Sequence, residues 1–166
     1  MQRYCAFAMI LALGACIPIA PVLVYLPADL PSAMQGGCPS SYMARLLDQD
    51  GVALDLLVYP EEGQFSGRLS LDIPRGRNAA ILKDYGMTIY RPAPLGPLTA
   101  LLECSAYPRL DPRDPPRRDC RFVAHLSEGS ELVVNFPPVE INGSRYDLSP
   151  MRFSLQKRPA VCWISA

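Results

Sequence analysis

The stretch Gln64-Phe65-Ser66-Gly67-Arg68-Leu69-Ser70-Leu71-Asp72-Ile73 decides the fold. Phe65, Gly67, Leu69, Leu71 and Ile73 alternate with Ser66, Arg68, Ser70 and Asp72. A period of two puts the first set on one face of a β-strand and the second on the other. One dry face and one wet face is the pattern of an antiparallel sheet laid on a core.

Upstream, Ser41–Leu47 and Val52–Tyr59 flank Asp48-Gln49-Asp50-Gly51. Asp-Gly between alternating segments reads as a hairpin turn, because both residues accept the positive φ angles that such turns need. Downstream, Asn78–Tyr85 reads two ways: Asn78 as the cap of a short helix closed by Gly86, or Ile81 and Leu82 as part of a strand. Met87–Tyr90 is a short strand, and the proline-rich Arg91–Pro97 that follows cannot be a helix. Ala100, Leu102, Cys104 and Ala106 alternate, as do Cys120, Phe122, Ala124 and Leu126. Leu132–Phe136 is expected to answer the latter strand across Ser127–Ser130. Val139–Ile141 and Arg145–Leu148 enclose Asn142-Gly143, the strongest hairpin signal in the chain. Met151, Phe153 and Leu155 form a further alternating set, and Ala160–Ile164 closes the series.

About ten short strands at intervals of roughly 8 to 15 residues have the cadence of an antiparallel sandwich or barrel. No long amphipathic helix follows any strand, which disfavours an α/β fold. The expectation is an all-β antiparallel sandwich of two sheets, immunoglobulin-like or transthyretin-like, over residues 41–166. A hydrophobic N-terminal helix over 1–27 and a Pro, Gly and Ser-rich linker over 28–40 precede it.

That helix is read from Tyr4–Leu26, 23 residues without a charge behind Arg3. A helix needs about 20 apolar residues to cross a bilayer, so the length permits a span. Cleavage sites for simple release are poor, since Leu13 or Leu26 would stand where a small residue is wanted and Pro21 follows Ala20. Leu13-Gly14-Ala15-Cys16 resembles a bacterial lipobox, with Cys16 as the residue to be lipidated. The first expectation is a single inner-membrane span with the C-terminal bulk in the periplasm, as Arg3 on the short N-terminal side indicates; a lipid-anchored lipoprotein is the alternative.

Cysteine usage agrees with export. Of six cysteines, Cys5 and Cys16 lie in the hydrophobic run, leaving Cys38, Cys104, Cys120 and Cys162. None forms a CxxC or a Cys/His pair, so zinc and thioredoxin-type chemistry lack their ligands. An even number in an exported domain reads as two disulfides. Cys104 and Cys120 both fall on the apolar phase of their segments, which favours Cys104 with Cys120 and therefore Cys38 with Cys162. The first closure would contribute about 3 kcal/mol through the loop that it constrains.

Charge is balanced at 16 basic and 16 acidic groups, which gives no reason to expect nucleic acid as a partner. His125 is the only histidine and sits on the polar phase of its segment, where a solvated surface residue is the simpler reading than a general base. No nucleophile motif, phosphate loop, cofactor fingerprint or histidine-based metal set occurs. A carboxylate pair drawn from Glu61, Glu62, Asp111, Asp114 and Asp119 leaves a small hydrolase as the weaker alternative. The expectation is a chain that is not an enzyme and needs no cofactor.

The most distinctive polar stretch is Tyr107–Arg118, YPRLDPRDPPRR, in which Arg109, Arg113, Arg117 and Arg118 are interleaved with prolines. Proline restricts the loop before binding, and arginine offers bidentate geometry to carboxylates. The expected function is therefore a membrane-tethered periplasmic binding module, a partner, inhibitor or immunity-type protein that holds another protein through these arginines. The alternative is a structural lipoprotein subunit of an envelope or secretion assembly.

Overall fold

The structure, a computed structural model, describes residues 19–28, 34–36, 41–59, 63–108, 116–126 and 131–160. The strands are β1 (Ile19–Pro27), β2 (Met34–Gly36), β3 (Ser41–Gln49), β4 (Val52–Tyr59), β5 (Gln64–Asp72), β6 (Ala79–Ile81) and β7 (Met87–Tyr90). They continue as β8 (Pro97–Ala100), β9 (Glu103–Tyr107), β10 (Arg117–His125), β11 (Glu131–Asn135), β12 (Val139–Ile141), β13 (Ser144–Tyr146) and β14 (Met151–Ala160). One turn of 3-10 helix, Lys83–Tyr85, completes the elements. Apart from that turn the regular structure of the described residues is all β-strand, as the alternation predicts.

Three antiparallel sheets result. The five-stranded one runs β1-β14-β11-β7-β8, the six-stranded one β2-β3-β4-β5-β10-β9, and the small one β13-β12-β6. Both hairpin expectations hold: Asp50 and Gly51 have φ of 54° and 78°, Asn142 and Gly143 of 50° and 82°. These left-handed values are the ones a two-residue turn imposes, and Asn, Asp and Gly adopt them at least cost. Asn78 does not cap a helix. It enters β6 and exchanges bonds with Asn142, its N–H donating to Asn142 Oδ1 at 3.0 Å and its carbonyl accepting from Asn142 N–H at 2.8 Å.

β4 and β5 lie inside the six-stranded sheet and bury their apolar phase completely: Val52, Leu54, Leu56, Val58, Phe65, Leu69 and Leu71 have no exposure. Phe65 joins the two large sheets. Its ring centre lies 5.6 Å from Tyr25 on β1, 5.0 Å from Phe153 on β14 and 5.4 Å from Phe122 on β10. Ala79, Ile81, Val139 and Ile141 bring the small sheet into the same apolar cluster.

Several expectations change at the level of pairing. Ala100–Ala106 is not one strand: β8 ends in the five-stranded sheet and β9 begins in the six-stranded one, Leu101 and Leu102 making the crossing. β11 does not answer β10 but pairs with β14 and β7. Local alternation registers which face a residue takes, not which strand lies alongside, so both errors have one cause.

The largest revision concerns the N-terminal run. Ile19–Pro27, expected as the second half of a helix, is a nine-residue strand paired with β14, from Ile19 opposite Ala160 to Pro27 opposite Phe153. Tyr25 and Pro27 are buried, and Pro21 falls where the register shifts, between Ile19 and Val22, so the missing N–H interrupts no regular ladder. β2, within the expected linker, pairs with β3. Residues 1–18, and with them Cys5 and Cys16, lie outside the described residues. Among the described residues no helix is long and apolar enough to cross a membrane.

Burial raises the phenol pKa of Tyr25 and of Tyr42 above the ordinary value of about 10. The neutral phenols therefore stabilise the fold fully below about pH 10, and that contribution is lost as pH rises through the raised folded values. Alkaline unfolding followed by circular dichroism should show a decline beginning above about pH 10 that is reduced in a Tyr42→Phe variant.

Candidate functional site

The distinctive chemistry collects on the hairpin of β9 and β10 at the edge of the six-stranded sheet. Tyr107 faces Arg117, Ala106 faces Arg118, Ser105 faces Asp119 and Cys104 faces Cys120. The expected Cys104–Cys120 bridge forms across this last pair. Cys120 is buried, but Cys104 is exposed, contrary to the expectation that both point into the core. The reason is topological: β9 has no strand beyond it, and all five of its residues are exposed. The bridge fixes this edge strand to β10 three residue pairs from the loop that carries the arginines. Cys38 and Cys162 lie outside the described residues, as do Arg109 and Arg113.

Arg117 and Arg118 are described, and they point to opposite faces, as neighbours on a strand must. Arg117 takes the outer face of the sheet. Its Nε donates to Ser70 Oγ at 2.7 Å and to Asp119 Oδ1 at 3.3 Å. Ser70 also donates to Asp119, and Arg68 Nη1 approaches Asp119 Oδ2 at 3.2 Å. The Asp119 side chain is only 8% exposed, so its charge is held by two guanidinium groups and a hydroxyl rather than by water. This network belongs to the cohesion of β5 with β10. Asp119→Asn is expected to cost about 2 kcal/mol, below the range for a fully buried pair because both arginines reach solvent, read as a shift in the urea midpoint.

Arg118 takes the other face and makes no ion pair or hydrogen bond among the described residues. It borders an open pocket of about 280 Å³ that Lys83 and Ser105 also line, with Ile81, Ala106 and the Cys104–Cys120 bridge as apolar lining. Lys83 likewise has no ionic partner among the described residues. Sequence reasoning missed Lys83, because only the fold brings the turn after β6 to the pocket that Arg118 lines. It missed the Arg68–Asp119 pair as well, which the register of β5 with β10 creates across 51 positions.

Two further pockets lie elsewhere. One of about 380 Å³ sits on the five-stranded sheet beside Tyr90, Glu131 and Arg152, and one of about 370 Å³ lies between β8 and β10 near Val123 and His125. His125 is exposed on the polar phase, as expected. Of the candidate carboxylates, Glu61, Glu62, Asp111 and Asp114 fall outside the described residues, and Asp119 is committed to its arginines. Among the described residues no three His, Cys, Asp or Glu side chains cluster as metal ligands would. Comparison with protein-family models, with curated proteins and with solved structures finds no match to the chain.

Proposed function

We propose that the chain is an envelope-tethered binding module, a two-layer β-sandwich that holds a protein partner at its β9–β10 hairpin. The observation that carries this reading is the hairpin itself. An edge strand exposed at every residue is fixed by a disulfide to its neighbour, and arginines stand at the base of a proline-rich loop. A braced, charged hairpin loses little freedom on binding, which is the economy that recognition surfaces need. The sandwich reading is supported by the contacts of Phe65 with Tyr25 and Phe153 across the two large sheets.

The tether reading is supported by the place of β1. With Ile19–Pro27 in a sheet, the charge-free residues left for an anchor are Tyr4–Pro18, 15 in number. As a helix these would cover about 22 Å, short of the roughly 30 Å of a bilayer core but within the length of a signal h-region. Leu13-Gly14-Ala15-Cys16 lies in that segment, three residues before β1. The apolar residues from Ile19 on, poorly suited to a flexible tether, are then explained as strand. We read the leader as a lipoprotein signal with lipid on Cys16, which sets the domain close against the membrane in place of a single span.

The partner reading is tested by affinity isolation of the native, membrane-extracted protein. A one-to-one complex is expected, with its yield reduced at least about fivefold by Arg118→Glu, a change worth about 1 kcal/mol. Arg152→Glu, on the five-stranded sheet, should leave the yield unaltered. Arg117 is unsuitable as the test position, because a carboxylate there would face Asp119 and unsettle the sheet. Equal yields from wild type and Arg118→Glu would overturn the hairpin as the docking element. Copurification with a large membrane assembly would instead favour the structural-subunit reading.

A further inference from the structure

We propose that the free edge of β9 and the pocket beside it receive an extended, acidic peptide segment of the partner, which adds to the sheet as a strand and seats a carboxylate between Lys83 and Arg118. This rests on the reading of the hairpin as the docking element and names the chemistry that it recognises.

Three observations carry it. First, β9 is the last strand of its sheet and pairs only with β10, so along its other side the backbone groups have no strand partner among the described residues. Edge strands are ordinarily blunted by proline, lysine or shortness. β1 carries Pro21, β8 begins with Pro97, and β2, β6 and β13 have three residues each. β9 has five residues, no proline and no lysine, its one charge is Glu103 at its start, and the disulfide ties it to β10. Strand addition draws its affinity from such main-chain groups and its specificity from side-chain pockets beside them.

Second, the pocket lies on the face of the hairpin that carries Arg118 and Cys120 and their cross-strand partners Ala106 and Cys104, and so reaches β9 itself. Three consecutive residues of β9, Cys104, Ser105 and Ala106, border it. A strand added beyond β9 would place every second side chain on this face, next to the pocket.

Third, the charges of the pocket have one sign. Lys83 and Arg118 line it, no acidic side chain does, and neither cation has an ionic partner among the described residues. Apart from Ser105 the remaining wall is apolar, which strengthens attraction for an incoming carboxylate by excluding water from one side. A glutamate or aspartate flanked by apolar residues on an extended segment satisfies all three features.

The test uses the full-length protein and a fluorescein-labelled, acetylated and amidated peptide, Thr-Val-Thr-Val-Glu-Val-Thr-Val, titrated by anisotropy at low salt. The expected result is saturable binding, weakened roughly tenfold when the peptide glutamate becomes glutamine, and by a similar factor in Lys83→Ala with Arg118→Ala. A peptide N-methylated on alternate backbone amides should not bind, since it cannot complete the ladder. Equal binding of the glutamate and glutamine peptides, or of the N-methylated one, would overturn the proposal, as would no binding up to 1 mM peptide. Binding of anionic phospholipid vesicles that is lost in the same double variant, without peptide binding, would overturn it in favour of a headgroup site. If Arg118→Glu still reduces the yield of the native complex while the peptide arms fail, the hairpin reading stands and only the acidic-strand inference falls. If both fail, both fall.

Discussion

Phe65→Ala is expected to destabilise the domain by about 4 kcal/mol, within the range for deleting a fully buried aromatic ring. Phe65 has no exposure and meets Tyr25, Phe122 and Phe153 at centroid distances between 5.0 and 5.6 Å. Two of those partners belong to the five-stranded sheet and one to its own, so the ring joins the two large sheets as well as filling volume. Edge-on aromatic pairs add to the area term, and the cavity left by alanine would be rimmed by three rings that cannot all move inward. Against a typical total stability of 5–15 kcal/mol, a loss of about 4 is a large share. Phe65→Leu, which keeps most of the volume, should cost less than about 2 kcal/mol. Urea denaturation of the three proteins checks the order, and a cost below about 1 kcal/mol for alanine would mean that the rings do not join the sheets.

Gly67→Ala is the second large effect, expected to exceed about 3 kcal/mol for the addition of one methyl group. Gly67 sits on β5 between Val58 of β4 and Phe122 of β10. A Cβ built there would lie 2.2 Å from the Leu57 carbonyl oxygen and 2.7 Å from Cζ of Phe122. The ring can turn aside. The carbonyl cannot, because it is part of the β4 backbone within the sheet. Gly67 is needed for close approach rather than for a left-handed backbone. Combining Gly67→Ala with Phe122→Leu should therefore recover less than half of the loss, since only the ring contact is relieved. Thermal unfolding of the single and double variants measures that fraction.

The fold was legible wherever its cause is local. Asp50-Gly51 and Asn142-Gly143 announce their turns because few other pairs tolerate two positive φ angles in succession. β4, β5 and β7 follow from alternation within a few residues, and parity led to Cys104–Cys120. What stayed hidden is set by pairing at a distance. Leu101 and Leu102 continue the apolar texture of their neighbours while the chain changes sheets. Ile19–Pro27 carries apolar residues on both strand phases, and a continuous apolar run has no period by which to tell a strand from a buried or membrane helix.

The same distinction runs through the candidate site. The arginines of the loop could be picked out as residues, but not divided: Arg117 is drawn into the Asp119 network, while Arg118 faces the pocket with Lys83. That division depends on strand phase at the end of β10 and on the packing of the small sheet.

That the run Tyr4–Leu26 divides between a leader and the first strand of the domain is tested most directly by intact mass and membrane partitioning of the native protein. The expected result is a membrane-fraction species that begins at a lipid-modified Cys16 and retains Ile19–Pro27 in the folded domain. A membrane-fraction species with the mass of the whole unmodified chain would contradict it, because Tyr4–Leu26 would then serve as an uncleaved span and β1 would be missing from its sheet.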